Sequence, residues 1–387
     1  MADAPSPALA GRRAALLAAA AGGLAAAARP DAARAQNAAS PAQGTEAALE
    51  RVAQFEQQVT GVAVSRNGRI FVNFPRWEQD VEISVAEVGR DGSLRPFPNA
   101  QWNSYRNRAP RPLTETFVCV QSVTVDPQGF LWILDPAAPG NEFNKPGGVK
   151  LLKVDLNGDR VVQTILFDTR VAPQGSYLND VRVSPDGRWA FITDSGQRGA
   201  LVVVDLGSGA ARRVLDGHPS TQAEPDVIVH ADGRELRRTD GRPTLFSADG
   251  IALDAEGRNL YWQALTGKTL YRLPVAALID PDLPAARLEA AVEKLGTTGV
   301  ADGLWMDGRN NLYVTSPEDN ALKLRTPDGQ MRTLMQDPRL RWPDSLAEGS
   351  DGSIFVTTSQ IQDVAQYHEK GSARTQPYGL WKVTPAR

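Results

Sequence analysis

The feature that most constrains this chain is a pattern repeated six times. Thr60–Val72, Gln121–Ile133, Asn179–Phe191, Asp249–Tyr261, Asp302–Val314 and Asp344–Val356 each run as an alternating apolar stretch, a polar turn and a second apolar stretch. The turn ends in Gly68, Gly129, Gly187, Gly257, Asn310 or Gly352, the residue types that accept positive φ. Each copy therefore predicts two antiparallel strands joined by a hairpin. Successive turns are 61, 58, 70, 53 and 42 residues apart. The shortest spacing is close to the roughly 40–45 residues that a four-stranded propeller blade needs, so the repeat predicts an all-β, six-bladed β-propeller with four-stranded antiparallel blades.

The remaining strands fall between these hairpins. Gly148–Gly158 with Val161–Leu166, and Ala200–Gly209 with Ala211–Leu215, complete the second and third blades as outer hairpins. The longest interval contains Pro274–Leu295, whose Ala, Leu and Glu content predicts a short helix inserted in a loop. A ring with an open edge exposes unpaired ladder groups. Leu49–Gln57, which has no partner in the first hairpin, is therefore expected to add a strand to the last blade beside Gly379–Val383 and close the propeller over 49–387.

Ahead of the repeats, Arg12-Arg13 precedes the uncharged run Ala14–Ala28, and Ala33-Arg34-Ala35 has the small-x-small form of a signal peptidase site. Residues 1–35 read as a twin-arginine-type export leader, followed by a flexible linker over 36–48, which predicts a periplasmic or secreted protein. The uncharged run is shorter than the roughly 20 residues of a membrane span, so no span is expected in the mature chain. The whole chain carries 42 basic and 45 acidic residues for a net charge of −3. With the leader removed the excess of acid grows, and no Lys/Arg stripe is present, which argues against nucleic acid as partner. Protein partners are not indicated. A single cysteine, Cys119, excludes an internal disulfide. It lies in the strand-like run Phe117–Val120, where a small buried hydrophobe is the expected role.

No Gly-x-Ser-x-Gly, His-Glu-x-x-His, Cys-x-x-Cys or phosphate-binding glycine loop occurs, and the three histidines are scattered. What remains is a column down the repeat: Thr60, Gln121, Asn179, Asp249, Asp302 and Asp344, with Asp180 one place further on. The first strand of a propeller blade is the innermost, so these side chains are expected to ring one mouth of the channel. Clustered carboxylates repel one another. They hold a hard cation such as Ca²⁺ or another divalent ion, or they keep protons and serve acid/base chemistry. The plainer reading is that Asp-Gly and Asp-Ser here cap turns. Tyr177, Phe246 and Trp342 in neighbouring loops suit the wall of a small-molecule pocket.

Val125–Asp135, Asp180–Val183, Ala190–Gly196, Arg213–Ser220, Asp249–Leu253, Leu260–Trp262, Thr266–Arg272, Asp302–Tyr313 and Trp342–Ser345 together resemble the yellow/major royal jelly protein family, in particular bacterial members described as dopachrome tautomerase-related. The chain is more distantly similar to gluconolactonase and senescence-marker propellers. The first resemblance implies a secreted six-bladed propeller that binds a small aromatic or amine ligand in its channel. The expected ligand contacts are Gln121, Tyr177, Asn179, Asp180 and Trp342, and Asp249, Asp302 or Asp344 would act as general base in a tautomerase-like isomerisation. The second implies a metal-dependent lactone hydrolase, with Asn179, Asp249 and Asp302 among the ligands, although Thr60 stands where those propellers carry a Glu. A non-catalytic binding scaffold is the third reading.

Overall fold

The structure, a computed structural model, describes residues 47–385 apart from 110 and 142; the expected leader and all but the end of the linker lie outside the described residues. Six four-stranded antiparallel sheets follow one another along the chain. The first is Val62–Val64, Ile70–Asn73, Val85–Val88 and Leu94–Pro96. The second is Ser122–Val125, Phe130–Asp135, Lys150–Asp155 and Arg160–Leu166, and the third Leu178–Val183, Trp189–Asp194, Ala200–Asp205 and Ala211–Val214. The fourth is Ala248–Leu253, Asn259–Ala264, Thr269–Pro274 and Glu293–Thr297, and the fifth Leu304–Met306, Leu312–Ser316, Ala321–Arg325 and Met331–Gln336. The sixth takes Pro343–Glu348, Ile354–Thr358 and Tyr378–Pro385 from the C-terminal part and Ala47–Phe55 from the N-terminal part.

The predicted hairpins form because each turn is chemically fixed. The six turn residues all have positive φ, from 61° at Asn310 to 88° at Gly129. A side chain at the turn's start holds the returning strand: the Asp126 carboxylate accepts the Phe130 N–H at 2.9 Å, and the Ser184 hydroxyl accepts the Trp189 N–H at 2.9 Å.

Apolar side chains fill the space between neighbouring blades. Val85, Phe97, Leu131 and Ile133 join the first two, Trp132, Leu151, Ile192 and Val202 the second and third, and Phe191, Leu201, Leu260 and Trp262 the third and fourth. Leu270 and Val314, then Leu322 and Ile354, then Phe74 and Leu380 continue the series around to the first blade. The inner strands pack in the same order, and Val62–Val64 lies against Pro343–Glu348. Closure follows the expectation: Ala47–Phe55 pairs antiparallel with Tyr378–Pro385, from Ala47 opposite Pro385 to Phe55 opposite Tyr378.

Two local expectations change. Phe117–Val120 is not a strand, because the Val118 and Cys119 N–H groups bond to the Asp135 carboxylate at 2.7 and 2.9 Å instead of to a ladder. Cys119 is buried as expected, and burial pushes its thiol up to about 12. The insertion in the fourth blade holds two short helices, Val275–Ile279 and Ala285–Ala290. Among the described residues no helix is long and apolar enough to cross a membrane.

Candidate functional site

The column residues are buried, and three of the six are turned inward by a recurrent distortion. Strand register shifts between Leu178 and Val181, between Ala248 and Ile251, and between Pro343 and Leu346, so Asn179, Asp249 and Asp344 sit at bulges. A bulge re-aims side chains that regular pleating would send to alternate faces. Threonines on the neighbouring strands pin the geometry. Thr193 donates to the Asp249 carbonyl at 2.6 Å, and Thr315 accepts the Asp302 and Gly303 N–H groups at 3.1 and 2.9 Å. The glycines after Asp249 and Asp302 answer to crowding: a Cβ on Gly250 would lie 2.5 Å from the Asp302 carbonyl oxygen, and one on Gly303 2.1 Å from that of Asp344. The Asp-Gly pairs therefore mark close approach of adjacent blades.

A polar chain crosses the blades at this level. Trp77 Nε1 donates to the Tyr177 hydroxyl at 2.8 Å, which donates to Gln121 Oε1 at 2.8 Å. Gln121 Nε2 reaches Asn179 Oδ1 at 3.3 Å, and Asn179 Nδ2 donates to Asp249 Oδ2 at 2.8 Å and to Ser195 Oγ at 2.9 Å. Asp249 and Asp302 share a hydrogen bond, and Trp342 Nε1 donates to Asp302 Oδ2 at 2.6 Å.

None of Asp249, Asp302 and Asp344 has an ion-pair partner among the described residues, so desolvation governs their protonation. Burial raises Asp249 well above the ordinary carboxyl range, and the Asp302 and Asp344 charges add to it. Asp344 is raised likewise, by burial and then by Asp302. Asp302 is pushed up to about 7 by burial, with the Trp342 indole N–H opposing the shift. Asp249 and Asp302 therefore hold a proton between them, and burial keeps the pair from ionising fully until near neutrality.

These groups form the floor of a cavity of about 540 Å³. Gln121, Tyr177, Asn179, Asp249, Asp302 and Asp344 line it, with Trp77, Phe246, Leu265, Ile361 and Val364 as walls. Phe143 and Leu245 stand at it largely exposed, at 62% and 58%. Two of the expected ligand contacts fall elsewhere. Asp180 is not among the lining residues; its carboxylate accepts from Ser122 Oγ at 2.6 Å and Arg182 Nη1 at 2.9 Å, and Arg182 reaches across to the Leu304 carbonyl at 2.7 Å. Trp342 is fully buried behind Asp302 and acts on the cavity through it. Thr60 is buried in the inner ring, its hydroxyl bonded to the Gln121 carbonyl at 3.0 Å. Sequence reasoning missed Trp77, Phe143 and Leu245. They lie in inter-strand connections outside the repeat, and only their apolar character in otherwise polar loops marked them.

The donor set does not suit the cation that the distant resemblance implies. Asn179 turns its NH₂ toward Asp249, and Asp302 spends one oxygen on Trp342. Asp249 and Asp302 bond to each other, an arrangement that needs a proton between them. Among the described residues no three of His, Cys, Asp and Glu converge as a metal-binding group.

Solved structures share the fold at low identity. They include a gluconolactonase from Xanthomonas campestris, 14% identical with a TM-score of 0.52, matched over 87% of this chain and 89% of that one. A luciferin-regenerating enzyme is 10% identical with a TM-score of 0.54, over 87% and 95% of the two chains. A streptogramin B lyase is 12% identical with a TM-score of 0.50, over 87% and 97%. No curated protein matches by sequence. The model of the major royal jelly protein family matches residues 118–378, well over half of the chain and five of its six inner hairpins, and by that match the chain belongs to the major royal jelly protein family.

Proposed function

We propose that this protein binds a small aromatic or amine ligand in the channel-mouth cavity and isomerises it by moving a proton from carbon to oxygen. One observation carries the reading: three buried carboxyls without cationic partners among the described residues form the floor of an aromatic-walled cavity large enough for such a ligand. Asp302, ionised near neutral pH, takes the proton from carbon. Asp249 or Asp344, held protonated, supplies one to the oxygen, so the reaction needs no oxidant, reductant or cofactor. Asn179, fixed between Ser195 and Asp249, orients the pair. Trp77, Tyr177 and Phe246 offer flat faces for the ring.

The test is titration calorimetry with catechol and indole amines, combined with turnover of a cyclised catechol. Binding in the micromolar range is expected, and Asp302→Asn should abolish turnover while leaving binding within about threefold. Absence of heat with every such ligand overturns the proposal. The lactonase alternative needs a cation on donors arranged to share a proton. It predicts loss of thermal stability on chelator treatment, whereas the proton-sharing arrangement predicts none. Export through a leader ending at Ala35, with action in the periplasm or outside the cell, belongs to the same reading.

A further inference from the structure

The channel has a second chamber. The first strands of the blades start near the acid-floored cavity and end, at the turns of their hairpins, in another cavity of about 490 Å³. The two cavities share no lining residue. Between them Arg182 spans the channel. From the third blade its Nη1 pairs with Asp180 at 2.9 Å, and its Nη2 donates to the Leu304 carbonyl of the fifth blade at 2.7 Å. Its Nε–H has no partner but is covered from solvent. The opposite mouth is thus a compartment of its own.

The repeat shows what is unusual there. The residue four places after each column position, the last before the turn, is Val64, Val125, Val183, Leu253 or Met306 in the first five blades and Glu348 in the sixth. All six line this chamber, so one carboxyl stands where the repeat otherwise places apolar side chains. The other two carboxyls in the lining are spent on their own hairpins. Asp126 accepts from the Phe130 N–H and Trp132 Nε1 at 2.9 and 2.7 Å, and Asp254 from the Arg258 N–H and Asn259 Nδ2 at 2.6 and 2.8 Å. Glu348 accepts only from Trp305 Nε1, at 3.3 Å, and has no ion pair among the described residues. The nearby cations are engaged elsewhere: Arg182 as above, Arg66 with the Pro127 carbonyl at 2.6 Å, and Arg309 beside Asp307 at 4.0 Å. Burial raises the Glu348 carboxyl above its ordinary range, and the Asp307 charge adds to it. A half-buried carboxylate without a counterion is costly, and an entering cation relieves that cost.

We infer that this opposite mouth is a binding site for a small aliphatic ammonium ion, its charge on Glu348 and its hydrocarbon body against the five apolar side chains. An aromatic body fits less well. The walls are aliphatic, and the one indole lining the chamber, Trp305, already carries the Arg182 guanidinium 5.5 Å from its ring centroid. The site is separate from the acid-floored cavity and does not rest on the function proposed for it.

The test titrates the full chain at pH 8 with hexylamine, 1-hexanol and hexanoate, which share a hydrocarbon body and differ in charge. The readout is the indole N–H resonance of Trp305, one of eight tryptophans, identified by its loss in Trp305→Phe. Because that N–H donates to Glu348, an ammonium ion captured there should move the signal. Hexylamine should reach half-saturation at a concentration about fivefold or more below that of hexanol, the scale of one charge-assisted contact, and hexanoate should leave the signal in place. Glu348→Gln should erase the preference for the amine. Glu348→Leu, which restores the apolar residue of the other five blades, should erase it too and guards against a Gln variant that folds poorly. A Trp305 signal that hexylamine does not move overturns the inference. So does an equal response to hexylamine and hexanol, or a preference that survives both substitutions. None of these outcomes bears on the acid-floored cavity, which shares no residue with this one.

Discussion

Trp342 holds a left-handed backbone, φ 51°, although it is among the bulkiest residues in the chain and fully buried. Such a conformation costs on the order of 1–3 kcal/mol and persists where surrounding structure enforces it, often at functional sites. Here it brings the indole N–H onto Asp302. The sequence marked Trp342 as aromatic and near the column, but its place behind a carboxyl depends on that unusual φ, which no local pattern encodes. Asp302 itself was legible, because the repeat put it in register with Asp249 and Asp344. Its raised carboxyl gives a signed prediction. A group whose folded pKa, about 7, exceeds its ordinary value favours folding most fully at low pH, and that contribution is lost as pH rises from about 4 through about 7. Asp302→Asn cannot ionise. At pH 8 it should be more stable than the unaltered protein by on the order of 2–4 kcal/mol, since each tenfold change in acidity is worth about 1.4 kcal/mol, with little gain at pH 4. Urea melts at the two pH values check this, and a destabilised variant at pH 8 contradicts the burial argument. Extra stability with lost turnover is the trade expected of a strained site.

At the scale of strands, what distinguishes the column from ordinary turn caps is a bulge at Asn179, Asp249 and Asp344 and a close inter-blade contact at the glycines after Asp249 and Asp302. The alternation of apolar residues was legible and placed every inner hairpin. The bulges were not, since a register shift is a property of two strands together. Nor did Phe117–Val120 announce itself as a loop, because its apolar residues are buried just as a strand's are, while its backbone bonds to a distant Asp135. The glycines separate the two kinds of Asp-Gly. Gly303 faces a backbone oxygen that cannot retreat, whereas Gly308, a few residues on, has nothing within 4 Å of its would-be Cβ, and neither has a positive φ. Gly303→Ala should therefore cost about 3 kcal/mol or more through overpacking against backbone. Gly308→Ala should stay within about 0.5 kcal/mol, as surface substitutions do. Equal denaturation midpoints for the two would mean that the inner strands are looser than the close approach requires.

For the molecule as a whole, the ring depends on one strand from its far end. Six hairpins with their spacing were enough to read the number of blades, and the unpaired Leu49–Gln57 was enough to read the closure, since an unclosed propeller leaves ladder groups without partners. Ala47–Phe55 contributes more than hydrogen bonds. Ala53 and Phe55 are buried between the last and first blades, with the Phe55 ring 5.3 Å from that of Phe74, and Leu49 packs between the fifth and sixth. Removing the strand strips apolar cover from both interfaces of the sixth blade and exposes the edge of Tyr378–Pro385. The proposed export would add a constraint. Cleavage after Ala35 leaves the closing strand intact, whereas any cut beyond Ala47 destroys it. If the proposed leader is removed after Ala35, N-terminal sequencing of the secreted protein should begin at Gln36. A chain starting at Gln36 should melt cooperatively, and one starting at Gln57 should lose cooperative melting or drop by more than about 10 °C, recovering when a peptide of residues 47–57 is supplied. An unchanged transition without the strand would place the lock elsewhere in the ring and remove the reason that the chain begins its fold with the last blade.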